Sequence, residues 1–467
     1  MSRHILIFPH TVLTLRDLVA GRTRHRRSFP RVFAKEPPIM FYSPKEGWSQ
    51  DALGATQVSR LRETLKQAAK SPFYHTRLAE AGVSPETIRS PEDIRRLPLT
   101  TKDDLRSAYP MGMCSVPSRE LIRLHASSGT TGTPTAILYT KNDIQNWASL
   151  MARSLYAAGV RPEDVFQNTS GYGLFTGGLG IHYGAELLGC LTIPAGSGNT
   201  KRQLKLIRDF QVSVVHIIPS YALYIGSVLA QEGIDPRELP ITRAVIGAEP
   251  HTEAVRSKVE SLLGLKAFNS YGLSEMNGPG VAFECEEQNG MHVWEDAFVA
   301  EILNPETLEP VDEGEIGELV MTTLTREGMP LVRYRTRDLT RFIPGRCPCG
   351  RTHRRIDRIK GRADDMLIIK GVNIYPMQIE QVLMNIREVG QNYVIEIFQD
   401  REMDQMRIKV EIRDEYFVED MRALQALQRR IASLLRNEIL ITPKVELVQH
   451  NSLPQTQGKA QRVVRLD

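Results

Sequence analysis

Apolar and polar positions set a helical rhythm early in the chain. Between 52 and 81, Leu61, Leu65, Ala68 and Ala69 recur at helical spacing and predict surface helices that stop at Gly82. The texture then turns to alternation. Ile122, Leu124 and Ala126 predict a short strand and Ala136 to Tyr139 a second, with a hydroxyl-rich turn between them. Helix and strand patterns alternate from there: a helix over 144–158, a glycine-rich stretch over 171–180 running into a helix to Leu188, a strand over 190–194, a helix over 201–210 and a strand over 212–218. A strand over 244–246 and a helix over 254–263 repeat the unit. Such alternation implies a mainly parallel sheet with helices on both faces.

Past Glu295 the chain becomes strand-rich, with strands expected over 298–303 and 317–323, and a charged break over 354–365. Beyond the break the pattern changes again: strand 366–369, helix 376–385, strands 391–399 and 408–412, a long amphipathic helix over 416–438 and a strand over 444–447. The expected architecture is α/β: a large N-terminal domain over 40–363, with helix-flanked, mainly parallel sheets and a β-rich subdomain, followed by a small mobile α+β lid domain over 364–467.

Composition changes this picture little. The 467 residues are 41% hydrophobic and 24% charged, which excludes disordered, collagenous and disulfide-scaffold classes. No apolar run reaches the ~18 residues that span a bilayer, so no membrane partner is expected. Charge is more informative. Residues 1–39 carry Arg3, Arg16, Arg22, Arg24, Arg26, Arg27, Arg31 and Lys35 against Asp17 and Glu36, so of the overall +4 this leader holds +6 and the body −2. The leader is expected to be a disordered basic extension, and the body offers no general nucleic-acid surface. Five scattered cysteines suit a reducing, cytoplasmic setting, and the oligomeric state, including a homodimer, stays open.

The densest chemistry is Ser127-Ser128-Gly129-Thr130-Thr131-Gly132-Thr133-Pro134-Thr135. Its hydroxyls and backbone N–H groups can turn toward one concavity, which suits polyphosphate oxygens. It lacks the Gly-Lys-Ser/Thr ending of a Walker loop and runs strand to strand. A plain hairpin rich in turn residues is the competing reading.

That turn, followed in order by Tyr271-Gly272-Leu273-Ser274-Glu275, Tyr334-Arg335-Thr336-Arg337-Asp338, Gly361-Arg362-Ala363-Asp364-Asp365 and Gly458-Lys459, resembles the adenylate-forming acyl-CoA ligases. Residues 125–131, 171–178 and 331–338 bring the likeness nearest to the phenylacetate-CoA ligase family, over roughly Ser43 to the C-terminus.

The resemblance implies ATP-dependent ligation of an aryl acid to coenzyme A through an acyl-adenylate, with release of AMP and pyrophosphate. A carboxylate is a poor electrophile because oxide is a poor leaving group, so the acid must first be adenylated. Under this likeness the 127–133 turn holds phosphates, Glu275 and Thr131 serve Mg²⁺, Tyr271 and Gly272 pack on adenine, and Gly247-Ala248-Glu249-Pro250 walls the base pocket. Asp338 and Arg362 take the ribose, and Asp364 is the hinge. Lys459 supplies positive charge at the reacting carboxylate and α-phosphate. The likeness also assigns Lys370, Gly371 and Tyr375 to the coenzyme A side. Tyr172, Phe175 and Gly177 form an apolar slot for the acid. Phenylacetate is expected first, with indoleacetate, a hydroxylated ring and benzoate left open.

Cys347-Pro348-Cys349 is tighter than the usual zinc knuckle, yet Cys285 and His292 precede it by a foldable stretch. Cys285, His292, Cys347 and Cys349 are a candidate structural zinc site with His353 as an alternate; two unligated turn thiols are the competing reading. Two other functions remain open: an adenylyltransferase resembling the deazaflavin-adenylylating synthetases, and a nonenzymatic zinc- and nucleotide-binding module.

Overall fold

The structure is a computed structural model that describes residues 41–127, 134–369, 372–400, 403–417, 420–454 and 462–466. The basic leader, most of the hydroxyl-rich turn (128–133), Lys370, Gly371 and Lys459 lie outside the described residues.

Helices α1 (Gln50–Ala68) and α2 (Pro72–Glu80) start at Ser49 and Ser71, whose hydroxyls accept the N–H groups of Ala52 and Tyr74. These caps satisfy donors that a helix start leaves open. A short helix, α3 (Lys102–Ser107), precedes the hairpin of β1 (Leu121–Ser127) and β2 (Thr135–Thr140). The alternation expected in β1 is present but faces the other way: Ile122 and Leu124 are exposed while His125 is buried. The His125 ring sits edge-on to Tyr139 and Trp147, so the inner face of β1 packs on aromatic rings while its aliphatic residues look outward.

The large sheet follows from α4 (Lys141–Ala157), β3 (Val165–Asn168), α5 (Thr176–Leu188), β4 (Leu191–Ile193), α6 (Thr200–Asp209), β5 (Val214–Ile217), α7 (Pro219–Gln231), β6 (Arg243–Gly247), α8 (Glu253–Leu263), β7 (Lys266–Leu273), β8 (Gly278–Glu284) and β9 (Met291–Val293). Strands β4, β3, β5, β6 and β7 run parallel in that spatial order, and β8 and β9 continue the sheet antiparallel. Pattern reading gave no element for α7, because a helix with Tyr221, Ala222, Leu223, Ile225 and Leu229 all buried has no broad polar face to mark its period.

Strands β10 (Phe298–Leu303), β11 (Gly317–Thr323) and β12 (Tyr334–Thr340) open the β-rich region; β13 (Phe342–Ile343) and β14 (Arg355–Ile356) return to the large sheet beside β9. Strand β15 (Gly361–Arg362) pairs with β12 and completes the four-stranded sheet β10-β11-β12-β15. The C-terminal part consists of the ribbon β16 (Leu367–Ile369) and β17 (Val372–Ile374), then α9 (Pro376–Met384), β18 (Val389–Asp400), β19 (Met403–Ile412), α10 (Met421–Ile439), β20 (Lys444–Gln449) and β21 (Val463–Arg465). Its sheet runs β20-β19-β18-β21. It meets the large sheet through polar contacts on α8: the Thr252 N–H donates to Glu380 at 3.2 Å and the Lys258 ammonium to the Gly390 carbonyl at 2.8 Å. Among the described residues no helix is long and apolar enough to cross a membrane.

Close packing of α4 on α5 sets one wall of the functional region. Gly180 and Gly184, one turn apart on α5, face Trp147 and Met151; an added Cβ would lie 2.1 Å from the Trp147 ring and 2.3 Å from Met151 Cβ. Gly184→Ala is therefore expected to cost about 1–3 kcal/mol through overpacking. The check is urea unfolding, which should show a lower midpoint with an unchanged slope.

Candidate active site

The carboxyl ends of the parallel strands open on a cavity of about 1060 Å³, with β12 and the loop after β15 on its far side. Open α/β sheets place ligands at this end, where chain connections diverge. Here the divergence falls at β3, which has β4 on one side and β5 on the other.

Tyr271 and Gly272 lie on β7. The Gly272 position is tight: a Cβ there would stand 1.9 Å from the Gly278 carbonyl, so no side chain fits. Tyr271 is buried, and its hydroxyl donates to Asp338 Oδ2 on β12 at 2.6 Å. Arg362 on β15 donates through Nη1 to Asp338 Oδ1 at 3.1 Å, and its Nε and Nη2 hold Asp364 at 2.9 and 3.0 Å. Burial pushes the Asp338 carboxyl up to about 6 against the pull of Arg362 and Tyr271. The Tyr271 phenol rises well above its ordinary value for the same reason, reinforced by the adjacent carboxylate.

Gly247 ends β6, and the next residue, Ala248, holds φ at 68°, a left-handed conformation rare for a residue with a Cβ. Glu249 then reaches the first turn of α7, accepting from the Ser220 N–H at 2.5 Å and its hydroxyl at 3.1 Å. Ala248, Glu249 and Pro250 border the cavity. Glu275 lies in the single turn after β7 and is buried; its carbonyl accepts from Arg326 Nη1 at 2.5 Å, and its carboxylate meets the Tyr334 phenol. Arg326 Nε and Nη2 find no partner among the described residues.

Ser127 closes β1 opposite Thr135. Of the residues expected to form the acid slot, Phe175 and Gly177 border the cavity. Tyr172 is not on its lining, and its hydroxyl instead meets Asn168 Nδ2 at 3.0 Å and His182 Nδ1 at 3.3 Å. Tyr375 opens α9 with its ring over Gly361. The cavity also has residues that sequence reasoning passed over: Thr101, Lys102 and Arg106 on its rim, and His216 and His251 in its wall. No motif marks them; they reach the site only through the return of distant segments.

Apart from this cavity, Cys285, His292, Cys347 and Cys349 come together with their ligand atoms all within 4.8 Å of one another. The Sγ atoms of Cys285 and Cys347 are 3.7 Å apart, and Cys349 Sγ is 3.4 Å from His292 Nε2. His292 Nδ1 lies 3.1 Å from the His353 carbonyl, which orients Nε2 toward the thiols. His353 is turned elsewhere, its Nδ1 accepting from the Glu295 N–H and its Nε2 facing the Lys45 carbonyl, so it is not the alternate fourth ligand.

The fold and cavity are those of an adenylate-forming enzyme. The AMP-binding enzyme family matches residues 61–324, and the AMP-binding enzyme C-terminal domain matches 371–466. Phenylacetate-coenzyme A ligase of Thermus thermophilus is 46% identical over 443 residues, covering 91% of this chain and 100% of that protein. The Escherichia coli protein of the same name is 45% identical, covering 91% and 97%. The chain thus belongs to the phenylacetate-coenzyme A ligase family of AMP-binding enzymes. Crystal structures of a 2-hydroxyisobutyryl-CoA ligase match it as well: the postadenylation state with 2-HIB-AMP gives a TM-score of 0.87 at 29% identity, covering 92% of this chain and 94% of that one. The thioesterification state of that ligase with coenzyme A gives 0.69 at 30% identity, covering the same shares.

A carboxyl whose folded value lies above its unfolded value of 3.8 costs stability while it is charged. That cost is absent below about 4 and fully present above about 6. Asp338→Asn is expected to be more stable than the parent at pH 7.5, by on the order of 2 kcal/mol. The gap should close as pH falls toward 4, as read by denaturant unfolding across that range.

Proposed function

We propose that the chain ligates an aryl acid, phenylacetate first, to coenzyme A by way of an acyl-adenylate. The observation that carries this reading is the buried Tyr271–Asp338 pair held by Arg362 on a cavity of about 1060 Å³, in a chain 46% identical to a phenylacetate-coenzyme A ligase over that protein's whole length. The adenylylating and nonenzymatic alternatives have no comparable support.

In the first half-reaction an acid carboxylate oxygen attacks the α-phosphorus of ATP and pyrophosphate departs. The turn from Ser127 to Thr133 cradles the phosphates with N–H and hydroxyl donors. The Ala248–Pro250 wall and Tyr271 flank the adenine. Asp338 accepts from the ribose hydroxyls while Arg362 holds that carboxylate in place, and Lys459 offsets the charge that builds at the reacting carboxylate and α-phosphate. Glu275 with Thr131 would hold Mg²⁺, which supplies charge neutralisation at the phosphates. In the second half-reaction the thiol sulfur of coenzyme A attacks the acyl carbon, AMP leaves, and the thiol proton is released.

One site serves both steps if the C-terminal domain turns about Asp364. The match of 0.87 to the postadenylation state of the 2-hydroxyisobutyryl-CoA ligase against 0.69 to its thioesterification state supports such a turn, with this structure nearer the former arrangement. Rotation would withdraw Lys459 and bring Lys370, Gly371 and Tyr375 toward the pantetheine arm. Acid-dependent AMP release should appear with aryl acids and yield a thioester only when coenzyme A is present. Lys459→Ala should lose pyrophosphate exchange by 100-fold or more while largely sparing thioester formation from synthetic acyl-AMP; equal loss of both would sink its assignment.

Cys285, His292, Cys347 and Cys349 are proposed to hold one structural Zn²⁺. With Zn–S bonds of about 2.3 Å and Zn–N of about 2.05 Å, a tetrahedral ion spaces two sulfurs about 3.8 Å apart and a sulfur and nitrogen about 3.5 Å apart. The separations of 3.7 and 3.4 Å match two edges of that tetrahedron, and all four ligand atoms lie within 4.8 Å of one another. Metal analysis of the purified protein should find close to one zinc per chain, falling to background in Cys347→Ser with Cys349→Ser.

A further inference from the structure

At the point where the strand order diverges, Asn168, the last residue of β3, and His216, one residue before the end of β5, are direct neighbours in the parallel ladder. His216 is 2% exposed and borders the large cavity. Its hydrogen bonds determine which ring nitrogen carries the proton. Asn168 Nδ2 donates to the Gly178 carbonyl at 2.7 Å, so the other end of the amide, Oδ1, is the acceptor. That oxygen takes the Ser170 N–H at 3.1 Å and stands 2.9 Å from His216 Nδ1. Two acceptors cannot bond, so Nδ1 bears the hydrogen and Nε2 is left with a bare lone pair.

Nothing among the described residues donates to that lone pair, and Nε2 is not sealed from solvent. It therefore keeps an open face, and the cavity is what the residue borders. Burial pushes the imidazole down to about 3, so it stays neutral in the physiological range. Phe175 and Gly177, at the start of α5, border the same cavity. An apolar acid slot needs no acceptor in its wall. A ligand that covers this acceptor without supplying a donor leaves it desolvated at a cost in free energy, which a donor-bearing ligand avoids.

Resting on the aryl-acid reading above, we propose that His216 Nε2 accepts a hydrogen bond from a hydroxyl or ring N–H on the substrate acid, so the enzyme prefers a donor-bearing aryl acid to its unsubstituted analogue. His216 is then a specificity-determining residue and takes no part in either bond-making step. Sites that hydrogen-bond a substrate hydroxyl discriminate strongly against the analogue lacking it, because binding that analogue leaves the site's polar group unpaired.

The test uses the purified full-length protein in acid-dependent pyrophosphate exchange without coenzyme A, which removes thiol and pantetheine donors from the assay. The acids are phenylacetate, its 2-, 3- and 4-hydroxy derivatives, the corresponding methyl ethers and indoleacetate. At least one donor-bearing acid is expected to exceed phenylacetate in kcat/KM by about tenfold or more, and its methyl ether to lose that advantage. His216→Leu should cut the ratio about tenfold through KM for the donor-bearing acid, leaving phenylacetate unchanged or improved. His216→Gln, which retains an acceptor, should keep part of the preference. Asn168 Oδ1 retains the Ser170 N–H in both variants, so its amide is not stranded. A ratio unmoved by His216→Leu, an equal loss on every acid, or a parent enzyme that turns over aryl acids with no donor-bearing acid preferred would each overturn the inference. Exchange with none of the acids would instead sink the aryl-acid reading, and the inference with it.

Discussion

A carboxylate held out of water between a phenol and a guanidinium joins two sheets of the molecule. Asp338 belongs to the smaller four-stranded sheet, Tyr271 to the large one, and Arg362 to the strand that leads out toward the C-terminal domain. Burying the charge is unfavourable by itself, as the raised value of Asp338 records, and the two donors only partly offset it. An apolar trio would be expected to pack there at lower cost, so the cluster is better explained as preparation for a ligand that brings hydroxyl donors. Because Arg362 also grips Asp364, the proposed nucleotide pocket and the proposed pivot share one side chain.

The same division between scaffold and chemistry recurs around the cavity. The parallel strands end at the cavity, and the loops after β6 and β7 carry acidic groups to it. Glu249 leaves β6 and caps α7, while Glu275 leaves β7 and is fixed through its own carbonyl by Arg326. Close helix packing through Gly180 and Gly184 lets the α5 end approach this region. Rigid elements therefore aim both the loop residues and the strand side chains Tyr271, Asp338 and Arg362 at one cavity.

On the other side of the large sheet's antiparallel end, the cysteine-histidine cluster closes the loop between β13 and β14. That loop carries Arg351, whose guanidinium meets the fully buried Glu46 at 2.7 Å, and Thr352, which bonds to Glu46 and Trp48. The first described residues of the domain are thus pinned by the loop that the four metal-type ligands gather. A buried pair of this kind is costly to break, because either partner alone is an uncompensated charge.

Sequence alone determined the elements with strong periodicity and the residues that travel in contiguous motifs. The strands at 298–303 and 317–323 and the alternation of helix and strand between 141 and 263 were legible because half-buried elements repeat at 2.0 or 3.6 residues. Tyr271, Glu275, Asp338 and Arg362 were legible through their ordered motifs, and the Cys/His quartet through ligand chemistry. Helix α7 and the outward aliphatic face of β1 were not, since full burial erases one pattern and aromatic packing inverts the other. The chain could not show that Asn168 and His216, 48 residues apart, pair on neighbouring strands, nor that an amide's orientation leaves an imidazole lone pair open on the cavity. Tautomer, burial and adjacency are properties of contacts made across the sheet, so only the tertiary structure decided them.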